Sequence, residues 1–136
     1  MGSFNPRVIN QPIPDSVDIG NYSDASEPLY VNSGNKPVRL FSIKVFNPTT
    51  VQAYIWVFNQ LNDGSNPDPT PDKKFCVIPV AANGFASVDF PGGAPLQGIC
   101  MFWSTSKTDY TVAPADVTGT WCVVYEKNSQ GAKPIP

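Results

Sequence analysis

Val51-Gln52-Ala53-Tyr54-Ile55-Trp56-Val57-Phe58-Asn59-Gln60 is the stretch that decides the fold. Successive side chains of an extended chain point to opposite sides. Val51, Ala53, Ile55 and Val57 therefore share one face, and Tyr54, Trp56 and Phe58 share the other. Both faces are apolar. Such a strand lies between two layers, or it is covered on its second face by another subunit.

The alternation continues outward in both directions. Upstream, residues 38–47 place Phe41, Ile43 and Val45 opposite Ser42 and Lys44, flanked by Leu40 and Phe46, before a turn at Asn47-Pro48-Thr49-Thr50. Residues 29–31 make a short strand closed by Asn32-Ser33-Gly34-Asn35. Downstream, residues 61–72 are a polar, Pro-rich loop. Residues 75–80 read as a strand, and Pro79 within it predicts an edge or a bulge. Asn83-Gly84 is a hairpin-turn signal. Ala86, Val88 and Phe90 then oppose Ser87 and Asp89 up to Pro91-Gly92-Gly93, which is expected to close the strand. Ile99, Met101 and Trp103 oppose Cys100 and Phe102; after a polar stretch over 105–116, Trp121, Val123 and Tyr125 oppose Cys122 and Val124. The series amounts to seven or eight strands with no helical periodicity of useful length, which predicts an antiparallel sandwich or barrel.

The two ends differ from this middle. Residues 1–28 carry Pro6, Pro12, Pro14 and Pro28, with Val8, Ile9, Ile13, Val17 and Ile19 as isolated apolar pieces. They read as an extended amino-terminal arm, ordered by docking on its own or a neighbouring subunit. Residues 29–127 are the β-sandwich domain and residues 128–136 a polar tail. Phe4, Arg7, Val8, Ile9, Ile13, Val17 and Ile19 of the arm, with Tyr54, Trp56 and Phe58 of the central strand, are the residues expected to meet a partner.

Composition narrows the chemistry. The 136 residues include 15 prolines, and only 15% are charged, against about 25% in ordinary soluble domains. The net charge is −2 and the basic residues are scattered, with Lys73-Lys74 the one adjacent pair, so no basic patch for nucleic acid is expected. No apolar run approaches the ~20 residues that span a bilayer, and the first residues lack the basic and apolar regions of a signal peptide. There is no histidine. That removes the commonest general base and neutral metal ligand, and with them any Ser-His-Asp or Cys-His site built from this chain alone. Cys76, Cys100 and Cys122 sit in apolar runs without Cys-x-x-Cys spacing, so they read as reduced core residues. A bridge between Cys100 and Cys122 is the alternative. Asp63, Asn66, Asp68 and Asp72 could supply oxygen ligands to calcium, but their spacing misses the EF-hand pattern. The carboxylates fall almost wholly in loops, with Asp89 and Glu126 the strand exceptions. Tyr54, Trp56, Phe58, Trp103 and Trp121 could form a sugar-stacking platform, although their mid-strand positions favour packing. No enzyme, cofactor or metal is expected.

One family shares the order of these patterns. Leu40-Phe41-Ser42-Ile43-Lys44-Val45-Phe46-Asn47, then Ala53-Tyr54-Ile55-Trp56-Val57-Phe58, then Val77-Ile78-Pro79-Val80 with Asn83-Gly84 and Val88-Asp89-Phe90-Pro91, then Leu96-Gln97-Gly98-Ile99-Cys100, and a closing Gly119-Thr120-Trp121-Cys122-Val123-Val124-Tyr125 resemble the small jelly-roll virion proteins of tailed bacteriophages. The long 61–72 loop and the wide 105–116 segment depart from that rhythm. The resemblance implies an all-β, jelly-roll-like antiparallel β-sandwich. It also implies a non-enzymatic cement or decoration protein, made in the host cytoplasm and carried on the capsid surface of the virion. Its partners would be the major capsid protein and copies of itself, as a homotrimer, with neither nucleic acid nor membrane. The alternative is a head-fibre or tail-fibre module that binds a receptor or glycan. Removing residues 1–28 is expected to abolish attachment and leave the fold.

Overall fold

A computed structural model describes residues 16–18, 23–31, 37–61, 73–108, 113 and 115–127. Among them are nine strands: β1 (Ser16–Asp18), β2 (Ser23–Asp24), β3 (Leu29–Val31), β4 (Val38–Asn47), β5 (Ala53–Asn59), β6 (Lys74–Val80), β7 (Gly84–Leu96), β8 (Ile99–Ser104) and β9 (Thr120–Lys127). One short 3-10 turn, Ala115–Val117, precedes β9.

The strands form two antiparallel sheets packed face to face. The first runs β1-β9-β4-β7, with β2 also on β9; the second runs β3-β8-β5-β6. β1 and β2 lie along the same edge of β9, Ser16 opposite Lys127 and Asp24 opposite Thr120, with a one-residue offset between them. Taken as one interrupted strand, they bring the total to eight, and every later connection except β5–β6 passes from one sheet to the other. That is the jelly roll, the two-sheet arrangement that manages edges by winding the chain back and forth across the sandwich. The expected all-β jelly-roll sandwich is what the chain forms.

The alternation explains the core. Ile43, Val45, Trp121 and Val123 point inward from the first sheet, and Ala53, Ile55, Val57, Ile99, Met101 and Trp103 from the second; all are buried. Each Val, Ile or Met side chain so removed from water contributes about 1.5–3 kcal/mol.

Three local expectations shift. The inward face of β4 changes phase at a bulge between Leu40 and Ser42, so Leu40 and Val38 are fully buried and Phe41, read as core, is the bulged residue. Pro91-Gly92-Gly93 does not end its strand. Gly92 and Gly93 adopt φ of 76° and 81°, and β7 kinks there and continues to Leu96. Asn83-Gly84 does make a turn, with Asn83 at φ 52° and Gly84 N–H donating to Ala81 O at 3.0 Å. It joins β6 and β7 across the two sheets, however, rather than closing a hairpin within one. Pro79 sits, as its chemistry demands, on the edge strand β6.

The segment read as an arm is in part a strand of the domain. β1 and β2 pair with β9, Ala25 is buried, and the Ala25 N–H donates to Gly119 O at 2.9 Å. Among the described residues the sheet begins at Ser16, within the stretch 1–28.

Candidate functional site

The outer face of the second sheet is the candidate surface. Register places Phe58 beside Cys100, Trp56 beside Phe102 and Val77, and Tyr54 beside Ser104 and Pro79; Tyr30 of β3 lies opposite Cys100. This is the second apolar face of the deciding strand. Its rings form a connected cluster: Trp56 and Phe58 are stacked at 6.0 Å, and Phe102 meets Phe58 and Tyr30 edge-on at 5.9 and 6.0 Å. Edge-on and offset pairs suit the ring quadrupoles.

The cluster is closed off within the chain itself. Trp56 is 5% exposed and Phe58 0%. Part of the cover is the turn after β8: the Trp56 indole N–H donates to Ser106 O at 2.9 Å, and Ser106 N–H donates to Ser104 Oγ at 3.1 Å. Burial of these two rings thus needs no partner subunit. Tyr54 alone of the three central-strand candidates keeps an open flank.

That flank belongs to a shallow groove of about 390 Å³, lined by Tyr54, Lys74, Val77, Pro79 and Lys107. The floor is apolar. The Lys74 ammonium lies 5.4 Å from the centroid of the Trp56 ring, a cation–π distance. Lys107 sits in the turn that Ser106 anchors, where Ser106 Oγ and Thr108 Oγ1 are 3.2 Å apart. Among the described residues no acidic side chain lines the groove, and neither lysine has an ion-pair partner.

The other sequence candidates are placed as follows. Trp103 and Trp121 are buried between the sheets, so no platform of five aromatics exists on the surface. Val17 lies in β1, opposite Glu126. Phe4, Arg7, Val8, Ile9, Ile13 and Ile19 lie outside the described residues, as do the oxygen-bearing Asp63, Asn66, Asp68 and Asp72. The carboxylate of Glu126 is 3.2 Å from Arg39 Nε, while Asp89 lies exposed on β7. All three cysteines are thiols. Cys100 faces the outside of the second sheet, and Cys122 alternates with the core residues Trp121 and Val123 on the first. Sheets stack about 10 Å apart, so a Cys100–Cys122 bridge is ruled out by geometry. Burial pushes the Cys76 and Cys100 thiols up to about 11, which makes them poor nucleophiles.

On the opposite side of the sandwich, the outer face of the first sheet carries a second feature. Phe46 of β4 and Phe85 of β7 are register partners, 43% and 58% exposed.

The groove lysines and the Phe46–Phe85 pair both escaped the sequence reading. The two Phe are visible as apolar residues in outward phase, but Lys74 and Lys107 become neighbours only through the sheet. Comparison with protein-family models, curated proteins and solved structures finds no match.

Proposed function

We propose that this chain is a non-enzymatic structural protein of a phage virion, a cement or decoration protein that binds the major capsid protein and stabilises the shell. The observation that carries this reading is the jelly-roll strand order, a fold used by viral shells, lectins and cupins. Fold alone does not assign function, and the residues narrow the choice. A chain without histidine lacks the commonest general base and neutral metal ligand, and the thiols of Cys76 and Cys100 are held protonated.

Shell binding needs apolar area rather than chemistry, and the exposed Phe46–Phe85 pair supplies some of it. An interface of about 1,600 Å² is enough for specific attachment. Low charge limits self-repulsion among closely set copies. The test is co-sedimentation of the purified protein with expanded capsids that lack it. Saturable binding, weakened by Phe46→Ser with Phe85→Ser, is expected. Protein that stays in the supernatant at micromolar concentration would refute the reading.

A second reading, a fibre module that grips a receptor or glycan, is favoured by one specific observation: the lysine-rimmed groove on the other sheet.

A further inference from the structure

We infer that the groove between Tyr54, Lys74, Val77, Pro79 and Lys107 is a binding site for an acidic saccharide, holding a sugar carboxylate between the two ammonium groups. This sharpens the glycan reading just given and does not depend on the capsid reading.

Four observations carry it. The groove is about 390 Å³, within the roughly 300–1,000 Å³ range of small-ligand sites. Its two cations come from different elements, β6 and the turn after β8. The Lys74 ammonium is placed by the Trp56 ring, and the turn that carries Lys107 is fixed by the Ser104–Ser106–Thr108 hydrogen bonds and the Trp56 indole. Two lysines lining one groove with an apolar floor favour an anion there, which gains charge-assisted hydrogen bonds from their ammonium groups. The floor of Tyr54, Val77 and Pro79 is apolar and presents a tyrosine, which suits the C–H face of a pyranose ring.

The same geometry disfavours an acidic peptide. β6 is the outer strand of its sheet, the place where an extended peptide would add, but Pro79 withholds a backbone donor there and Lys74 charges the edge. Among the described lining residues only these two lysines are cationic, too few to track a long polyanion.

The experiment is an NMR titration of the full-length protein with trigalacturonate. Four comparison ligands are its methyl ester, maltotriose, acetate and an oligoglutamate peptide. Trigalacturonate should shift resonances around Tyr54, Lys74, Val77 and Lys107. The methyl ester, maltotriose, acetate and the peptide should each bind about tenfold more weakly or worse. Lys74→Gln with Lys107→Gln should weaken trigalacturonate about tenfold while the melting temperature falls by no more than about 5 °C, because both side chains are exposed and only the Lys74–Trp56 contact is lost. Tyr54→Phe, which keeps the ring, should retain binding. Equal affinity for trigalacturonate and maltotriose would overturn the acidic assignment while keeping a glycan site. Equal affinity for acetate or the peptide would show a carboxylate site with no sugar specificity. Absence of binding by every sugar would overturn this inference and the glycan reading together, leaving the capsid reading untouched.

Discussion

At the scale of single residues, the end of the sandwich hangs on Asn47. Its Nδ2 donates to Val51 O at 2.8 Å, Ala81 O at 3.2 Å and Val80 O at 3.4 Å, and its Oδ1 accepts from Thr49 N and Oγ1 at 3.0 and 2.6 Å. One buried side chain thus ties the end of β4 to the turn before β5 and to the β6–β7 corner. Asn47→Ala removes all of these bonds at a fully buried position, with Val51 O and Ala81 O keeping Thr49 Oγ1 and Gly84 N–H as donors, and should cost about 2 kcal/mol, read as a lower urea midpoint. Asn47→Asp should be worse near neutral pH, because a carboxylate would face three carbonyl oxygens. The thiols give a pH signature. Cys76 and Cys100 are raised from 9.0 to about 11 when folded. Between those values the unfolded chain has lost protons that the folded chain still holds, so stability falls as pH rises through the window and is unaffected below it. Melting temperatures from about pH 8 to about pH 11 should fall more steeply for the native protein than for Cys76→Ala with Cys100→Ala. Identical slopes would mean that the thiols are not shielded.

At the scale of elements, the paired distortions of β4 and β7 act as one device. The bulge at Phe41 and the positive-φ pair Gly92-Gly93 face each other. Arg39 spans them, its Nη1 donating to Gly92 O at 2.8 Å and its Nε meeting Glu126 at 3.2 Å. A Cβ on Gly93 would collide with the Arg39 stem and the Phe41 ring, whereas one on Gly92 meets open space. Gly92→Ala should therefore cost only the backbone penalty, about 1 kcal/mol, and Gly93→Ala about 3 kcal/mol. Equal melting temperatures for the two variants would show that the Arg39 contact is not the constraint. The same device marks where sequence reading stops. β5, β8 and β9 were legible because their inward residues recur at every second position without a break. The phase of β4 was not, because its slip is set by a partner strand far along the chain. β1 and β2 were not, because Ser16-Val17-Asp18 and Ser23-Asp24 have no strand pattern of their own; they are recruited by the open edge of β9. The second face of β5 was legible as apolar, but its cover was not: a turn carrying Ser106 replaces the subunit that the pattern suggested. The groove was illegible for the related reason that Lys74 and Lys107 are ordinary surface lysines until the fold sets them together.

At the scale of the whole molecule, the amino-terminal segment holds two roles that a deletion must separate. A jelly roll needs its first strand, and here that strand is β1 with β2. Removing residues 1–28 would strip the whole outer edge of β9 and the buried Ala25, and would leave the β9 ladder open to other chains. Open edges pair with whatever they meet. The expectation that this deletion spares the fold is therefore replaced by its opposite: the truncated protein should aggregate, or melt more than about 10 °C lower. Removing residues 1–15 leaves every described strand intact, and that protein should still fold, read as a single cooperative melt. It is the variant that can test the arm. If the capsid reading holds and the arm reaches a neighbouring subunit, deletion of 1–15 should lower capsid binding while the fold is kept. Undiminished binding would assign attachment to the Phe46–Phe85 face of the folded domain and leave the arm without a part in it.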